Sequence, residues 1–225
     1  MKPNGLNGMA FRCFLVAFIS LSLLSNCSEK IVSKTSPDFS ALRPSTIAVL
    51  PAMNETVDLD APKTFPAQVR KALSSRGYRV ISGAIVDAKL KELGVLSGAQ
   101  ANSIPDKELG ELLNADAILF TAVTEWSTVY LGVYASITVG ARFELVDAKS
   151  SKILWALEDD EKNISVAFDE DSAKVTAALA ILSTYEPLVK RLVNKSFKKL
   201  PRGVHRSSRP PKNKIKFKPH IIFKK

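Results

Sequence analysis

Apolar and polar residues alternate at two different periods along the chain, and each period predicts one kind of element. Short apolar runs at 46–51, 78–82 and 117–126 are typical of buried strands. Residues 136–145 alternate strictly, which predicts an antiparallel strand with one solvated face, and residues 153–158 predict its hairpin partner. The apolar face of the alternating strand comprises Ile137, Val139, Ala141, Phe143 and Leu145, and its polar face Ser136, Thr138, Arg142 and Glu144.

A period near four residues marks the helices. One helix is predicted between Thr64, which can cap it, and Gly77, which can end it. Others are predicted over 84–93, from Pro105 onward, and over 172–197, where a proline should kink or split the helix. The inward face predicted for the helix at 84–93 consists of Ile85, Val86, Leu90 and Leu93.

The order of these elements is β-α-β-α-α-β-β-β-α. Helices between the first strands imply crossover connections between parallel strands, whereas the later strands form a meander. The sequence therefore predicts a single α/β domain over residues 45–197. We expect it to contain a mixed sheet of about five strands with flanking helices.

The first 26 residues have the layout of a secretory signal peptide. Lys2 and Arg12 are the charged residues there, and mostly apolar residues follow at 13–24. That run is shorter than the roughly 20 apolar residues that a membrane-spanning helix needs. We therefore expect export, with residues 1–26 removed. Residues 27–44 show little apolar periodicity and are predicted to be a flexible tether.

The end of the leader indicates a lipid anchor. Leu24-Ser25-Asn26-Cys27 resembles the lipobox of bacterial lipoproteins, with Asn26 where glycine, alanine or serine is usual. Acyl chains on Cys27 would hold the protein on a membrane. The alternative is an ordinary signal peptide that leaves Cys27 as a free thiol. Ser28 stands where aspartate would signal inner-membrane retention, which favours the outer membrane with the domain facing the periplasm.

Basic residues are concentrated at the C-terminus. Residues 198–225 hold eleven Lys and Arg and no acid, whereas residues 27–197 hold 19 basic and 22 acidic residues. Prolines and like charges predict a disordered tail. Its basic and apolar residues suit an anionic membrane or peptidoglycan, and export argues against nucleic acid as the partner. A tail that only aids solubility is the open alternative. The lysines predicted to touch the anionic surface are Lys212, Lys214, Lys216 and Lys218.

The predicted domain lacks the residues of most catalytic and metal sites. His205 and His220 lie in the tail, and Cys27 is the one cysteine left after cleavage. No glycine-rich nucleotide motif occurs. Four adjacent acids at 158–161 lack the spacing of a calcium loop and are interpreted as a solvated turn. We therefore predict no catalytic residues, no metal, no cofactor and no enzyme activity.

Several short motifs resemble a family of bacterial lipoproteins, domain of unknown function 799. The resemblance covers about residues 45–195, and Ala52 and Asn114 depart from the family pattern. The matching residues are Pro51, Asn54, Thr56, Arg76-Gly77-Tyr78, Ala115-Asp116-Ala117, Leu145-Val146-Asp147 and Trp155.

This resemblance implies a fold similar to the curli-secretion lipoprotein and to the N-terminal domain of the Tol-system propeller protein. It further implies a non-enzymatic module that acts through an envelope protein partner, for example as an accessory to an outer-membrane assembly or secretion system. A self-assembling structural subunit, and hence a homo-oligomer, is the alternative. Asn54, Glu55 and Trp126 are the candidate contact residues, because a polar loop and a strand-end aromatic can be exposed.

Overall fold

The sheet is built around two segments, the parallel strand 46–49 and the long meander that follows residue 117. The computed structural model describes residues 33–131, 134–166 and 185–203, and these form a seven-stranded mixed sheet with helices on both faces. The predicted α/β class is thereby confirmed. The strands are β1 (Lys34–Thr35), β2 (Thr46–Val49), β3 (Met53–Asn54), β4 (Arg79–Val80), β5 (Ala117–Leu131), β6 (Tyr134–Asp147) and β7 (Ile153–Val166).

The helices lie between β2 and β5 and after β7, as the apolar pattern predicts, with a short extra helix before β2. No described helix has the length and apolar character required to cross a membrane. The helices are α1 (Phe39–Leu42), a 3-10 helix (Ala61–Thr64), α2 (Phe65–Ser75), α3 (Gly83–Glu92), α4 (Gly98–Ala101), α5 (Asp106–Leu113) and α6 (Glu186–Phe197).

Strand β2 lies between two parallel neighbours. The strand order is β1-β7-β6-β5-β2-β4, and β3 also pairs with β5. Ile47 is in register with Ala117 of β5 and with Val80 of β4. β5, β6 and β7 are antiparallel, and β1 pairs with β7 at Trp155 and Ala156. A parallel arrangement is therefore confined to the part of the sheet where helices make the connections.

Each face of β2 contributes to a separate apolar core, which explains why its run is apolar without alternation. Ile47 and Val49 face α2 and α6, where Val69, Leu73 and Leu192 are buried. Ala48 and Leu50 face the opposite side, and the core there is completed by residues of α3 and α5. The residues of that second core on the helices include Val86, Leu90, Leu109 and Leu113.

The strand count differs from the prediction because β1 and β3 are two residues long. β1 lies in the predicted tether, and Phe39, also in that segment, is buried in the core. Packing at the other end likewise extends past residue 197, where Leu200 is fully buried. The folded region is therefore longer than the predicted 45–197 on both sides. Residues 1–32 and 204–225, including the predicted leader and most of the tail, lie outside the described residues.

One predicted helix face needs correction, and one predicted helix is described only in part. In α3, Val86 and Leu90 are buried as predicted, but Ile85 and Leu93 are exposed, because the helix packs on the sheet through a narrow face. In α6, Pro187 lies in the first turn, where a missing N–H costs no hydrogen bond. The described part of the predicted long helix therefore begins at Glu186, and residues 172–184 lie outside the described residues.

The acidic run at 158–161 is part of β7 and not a turn, which corrects that prediction. The two-residue alternation of a strand sends Asp159 and Glu161 towards α6. There Lys195 Nζ lies 3.1 Å from Asp159 and 3.3 Å from Glu161, and Arg191 Nε lies 3.3 Å from Glu161. Asp159 and Glu161 therefore link β7 to α6 through ion pairs.

The polar face of β6 is also less solvated than predicted. Ser136 and Thr138 are buried, being 3% and 8% exposed, while Arg142 and Glu144 are half-buried. All five residues of the predicted apolar face are buried as expected.

Candidate interaction site

The topology places a crevice at the carboxyl end of β2. The chain leaves β2 through α2 on one face to reach β4, and returns through α3 and α5 on the other face to reach β5. Connections that diverge in this way leave a gap beyond the strand end, which is where open α/β sheets bind ligands. A cleft of 620 Å³ lies there, with Pro51 and Ala52 among its lining residues. We call it the β2 cleft.

The walls of the β2 cleft come from the elements on either side of β2. The 3-10 helix and α2 supply Pro62, Pro66 and Arg70, whereas Asp87 of α3 and Leu96 lie on the other side. The two proline rings are rigid and have no N–H to leave unpaired. This wall therefore combines rigid apolar rings with the charged side chain of Arg70.

The start of α4 is fixed against the base of the cleft. A Cβ atom at Gly98 would lie 2.3 Å from the carbonyl oxygen of Ala52, so only glycine allows this approach. A reciprocal capping box between Ser97 and Gln100 holds the first turn. The close backbone contact gives the cleft a defined boundary on this side.

Asn54 organises the loop that borders the cleft. Its Nδ2 donates to the carbonyl of Asp58 at 2.8 Å, and its Oδ1 accepts from the backbone N–H and the hydroxyl of Thr56 at 3.0 and 2.8 Å. The loop is thereby held while its aliphatic side chains, Val57 and Leu59, remain 98% and 82% exposed. Asn54 lines the cleft, but much of its hydrogen-bonding capacity is used inside the loop.

Glu55 is exposed and pairs across to the meander. Its N–H donates to the carbonyl of Val123, and its carboxylate accepts from the guanidinium of Arg142. Arg142 also lies 3.8 Å from Glu158. The charge of Glu55 is therefore balanced by a neighbour on β6, and a role in partner contact remains a prediction.

Trp126 lies in the packing between β5 and the start of α6. Its ring stacks on Tyr185 with centroids 4.1 Å apart, and it also approaches Phe65 at 6.4 Å. The hydroxyl of Tyr185 lies 2.7 Å from that of Thr128. Trp126 is thus half-buried, and the structure does not bring it together with Asn54 and Glu55 into one site.

The Arg76-Gly77-Tyr78 motif lies at the opposite end of β2 and holds residues 200–203. The Arg76 guanidinium donates to the carbonyl of Leu200, and the Tyr78 hydroxyl donates to that of Pro201 at 2.8 Å. Gly77 has φ +89°, a left-handed conformation that favours glycine. Burial raises the pKa of Tyr78 to about 12. We call these three residues and their partners the C-terminal clamp.

Asp116, from another family-like motif, closes the same end of β2. Its Oδ2 accepts from Thr46 N at 2.8 Å, Ser45 Oγ at 2.8 Å and Ser45 N at 3.1 Å. Partial desolvation disfavours the charged carboxylate, but these hydrogen bonds outweigh it and hold the pKa of Asp116 below its ordinary value. The resemblance motifs at 76–78 and 115–117 thus have structural roles.

The described residues offer little for catalysis by histidine, cysteine or metal. They include no His or Cys, and they contain no group of three or more His, Cys, Asp or Glu side chains suited to a metal ion. Cys27 and the four tail lysines lie outside the described residues, so their roles stay predictions.

The structure places on the β2 cleft three side chains that the sequence does not single out, namely Leu59, Arg70 and Leu96. The predicted order of strands and helices contains the signal that could have found the cleft, because a strand with crossovers on both sides marks a switch point. No local pattern identifies the individual side chains.

Comparisons with known proteins agree with a lipoprotein family. A family model described as "Putative lipoprotein GNA1162-like" matches residues 36–200. The putative lipoprotein NMB1124/NMB1162 of Neisseria meningitidis serogroup B (strain ATCC BAA-335 / MC58) is 29% identical over 143 residues, which are 63% of this chain and 66% of the relative. The match therefore spans just under two thirds of the relative's length.

Two solved structures are also similar to this chain. The crystal structure of lipoprotein GNA1162 from Neisseria meningitidis is 27% identical, covers 62% of this chain and 96% of its own, and has a TM-score of 0.53. The PelC dodecamer from Paraburkholderia phytofirmans is 18% identical, covers 76% and 96%, and has a TM-score of 0.48. The dodecameric assembly is that of PelC. The family number 799 and the likeness to the curli-secretion and Tol-system proteins remain predictions.

Proposed function

Because this chain belongs to the GNA1162-like lipoprotein family, we propose that it is a lipid-anchored cell-envelope protein that works through protein contacts and not through catalysis. The observation that carries the proposal is the family match over residues 36–200, which begins nine positions after the cysteine of a lipobox-like Leu24-Ser25-Asn26-Cys27. The two Neisseria meningitidis relatives are named as lipoproteins, and neither name describes an enzyme.

The anchor in this proposal is Cys27. Six residue steps separate it from Ser33, and the indole of Trp155 donates to the Ser33 hydroxyl at 3.1 Å. A chain of this length spans at most about 20 Å when fully extended. The domain would therefore lie close to the membrane, and the tether is shorter than the predicted 27–44.

The membrane proposed is the outer membrane, with the domain on its periplasmic side, because Ser28 follows the cysteine. The test is a matched pair of variants in membrane fractionation with mass spectrometry of the mature N-terminus. Cys27→Ser should leave an unprocessed or unlipidated product. Ser28→Asp should keep the lipid and move the protein to the inner membrane. A mature wild-type N-terminus elsewhere, without added lipid, contradicts the proposal.

The interaction surface in this proposal is the rim of the β2 cleft. Leu59 and Leu96, 82% and 79% exposed, border it, and Val57 lies in the same held loop. Exposed aliphatic side chains around a concave site are typical of a partner surface. The partner would be an envelope protein, such as a component of an outer-membrane assembly or secretion system.

Site-specific crosslinking in intact envelopes tests this surface. A photoreactive residue at position 59 or 96 should crosslink a common partner, whereas the same residue at position 93 should not. Leu93 is the matched control, because it is an exposed leucine directly after α3 that does not line the cleft. Equal crosslinking from all three positions would contradict a specific surface.

The basic tail is proposed to contact an anionic membrane or peptidoglycan through Lys212, Lys214, Lys216 and Lys218. The C-terminal clamp fixes the point from which the tail leaves, since the N–H of Gly203 donates to the carbonyl of Arg76 at 3.0 Å. Truncation after Gly203 therefore removes the tail without breaking the clamp. It should lower binding to anionic vesicles or peptidoglycan in a salt-dependent way, whereas unchanged binding would leave the tail without this role.

Self-assembly is the second candidate, favoured by an apolar patch at the far end of the meander. The register places Val129 and Ile164 on either side of Ser136, and Leu131 and Val166 on either side of Tyr134. These four aliphatic side chains are exposed and share one face of the sheet. Light scattering after size exclusion distinguishes the candidates. A wild-type oligomer that Leu131→Ser dissociates, and Leu93→Ser does not, supports assembly through this patch.

A further inference from the structure

The β2 cleft contains a cation that has no ion-pair partner among the described residues. Arg70 lines the cleft and is half-buried, yet its guanidinium makes no hydrogen bond or ion pair with any other described residue. Lys63, the other cation of the lining, is paired with Asp60. A guanidinium has five N–H donors and cannot lose its charge at neutral pH. Arg70 is therefore equipped to bind an anionic group that enters the cleft.

The position of Arg70 is built into the fold. A Cβ atom at Gly83 would lie 2.7 Å from the central guanidinium carbon of Arg70, so the side chain occupies space left by the missing methyl group. The first turn of α3 thus supports the guanidinium from behind. A supported arginine loses less side-chain entropy on binding than a free one.

The remainder of the cleft is suited to aliphatic groups. Pro51, Pro62 and Pro66 line it, together with Leu59 and Leu96, which keep most of their surface exposed. Its 620 Å³ lies within the range of roughly 300–1,000 Å³ that is typical of ligand sites. A small molecule inside would leave much of both leucines in water. A peptide segment longer than the cleft would cover them.

From these observations we propose that the β2 cleft binds an apolar peptide segment of a partner protein and that Arg70 holds a carboxylate of that segment. This inference rests on the proposed function, because it names the chemistry of the partner at the same surface. The carboxylate accepts the guanidinium hydrogen bonds in the two-pronged geometry that arginine favours. The aliphatic side chains of the segment cover Leu59 and Leu96.

The test compares two synthetic probes on the full mature lipoprotein in lipid nanodiscs. One is the acetylated hexapeptide Ala-Leu-Pro-Leu-Ala-Leu with a free C-terminal carboxylate, and the other is its C-terminal amide. NMR titration should shift the methyl signals of Leu59 and Leu96 and the side-chain N–H signal of Arg70. The carboxylate should bind about tenfold tighter than the amide, as a charge-assisted hydrogen bond implies.

Substitutions then separate the charge from the fold. Arg70→Gln should lower the affinity for the carboxylate peptide to that for the amide peptide, and it should leave the affinity for the amide peptide unchanged. Lys71→Gln is the matched control, since Lys71 is an exposed cation of α2 that does not line the cleft, and it should leave both affinities unchanged. Thermal unfolding of each variant shows whether the domain remains folded, and Arg70→Lys should recover part of the preference.

Three results would overturn the proposal. The first is equal affinity for the two peptides. The second is that the NMR signals that shift belong to residues away from the cleft. The third is that laurate binds with the same dependence on Arg70 while neither peptide binds, which would show that the ligand is a lipid. Fractionation of the Cys27→Ser and Ser28→Asp variants is independent of Arg70. A failed peptide titration with intact lipidation therefore refutes this inference alone.

Discussion

The two ends of strand β2 differ in how their polar groups are satisfied. At the amino end, Asp116 accepts three hydrogen bonds, and the C-terminal clamp joins α2, β4 and residues 200–203. At the carboxyl end, Arg70 is unpaired among the described residues, and Leu59 and Leu96 are exposed. One strand thus connects a closed, hydrogen-bonded end to an open one.

This difference shows how the fold separates stability from binding. Buried polar groups with partners contribute to a unique structure, whereas an unpaired charge and exposed aliphatic groups are costs that a ligand can relieve. Substitutions at the amino end should therefore change the free energy of unfolding. Substitutions at the carboxyl end should change binding and leave stability nearly unaltered.

The same substitution at the two ends should give the largest contrast. Leu200→Ala removes a fully buried side chain next to the clamp and should lower the free energy of unfolding by about 2–5 kcal/mol. Leu59→Ala removes an exposed side chain at the cleft and should change it by less than about 0.5 kcal/mol. Urea unfolding followed by circular dichroism measures both. Similar losses would show that the ends do not differ.

Tyr78→Phe tests the clamp itself. Loss of the hydroxyl leaves the Pro201 carbonyl without its donor and should cost about 1 kcal/mol at neutral pH. The pKa of Tyr78 is raised to about 12, so the neutral phenol is favoured in the folded state. The stability that this contributes is fully present below pH about 10, the ordinary tyrosine value, and is lost as the pH rises towards 12.

Absorbance titration at alkaline pH, combined with urea unfolding, checks this prediction. The wild type should show one phenol that ionises near pH 12 and a decline in stability above pH about 10. The Tyr78→Phe variant should lack that phenol and part of that decline. If the variant has the same alkaline pH dependence of stability as the wild type, Tyr78 does not contribute to the clamp.

Asp116→Asn should have a smaller effect with the opposite pH dependence. The pKa of Asp116 is lowered in the folded state, so its carboxylate stabilises the protein above the ordinary aspartate pKa, and this contribution is lost as the pH falls. We expect a loss below about 1 kcal/mol at neutral pH, since the site is partly solvated. Urea unfolding of the wild type and the variant between pH 7 and 3 checks this. The difference between their free energies of unfolding should shrink below pH about 4.

The smallest effect is expected at the carboxyl end. Arg142→Gln removes the pairing with Glu55 and Glu158, which are all partly exposed. Such surface pairs contribute about 0–1 kcal/mol, and salt screens them. The wild type and the variant should therefore converge in stability at 1 M NaCl. A loss that salt does not reduce would mean that Arg142 supports the loop through packing.

The sequence predicts the parts of the fold that carry their own pattern. The run at 46–51 becomes β2 and the alternation at 136–145 becomes β6. A strand buried on both faces has a continuous apolar run, whereas a strand with one apolar face alternates between apolar and polar residues. β1 and β3 have two residues each, too few for a period, and their partners on β7 and β5 decide their conformation. Ser136 and Thr138 are buried through tertiary packing, which the local alternation does not reveal.

The candidate site is less predictable than the fold. Asn54 is polar and lies in a loop, which is why the sequence suggested a contact role, but its amide hydrogen bonds largely hold the loop. Trp126 is half-buried because Tyr185, 59 positions later in the chain, covers its ring. Arg70 lies on an amphipathic helix, and an arginine in such a helix is usually solvated. Its lack of a partner is visible only once Gly83 and the cleft are in place.

The acidic run of β7 has a consequence for aggregation. β1 covers the outer side of β7 only at Trp155 and Ala156, so within the described residues the backbone from Leu157 to Val166 has no strand partner on that side. Such an edge invites pairing with a second chain. Four acids at 158–161 lie along it, and like charges would face each other if two copies met there. The run thus places acidic side chains along an edge strand, which is one way in which proteins oppose edge-to-edge pairing.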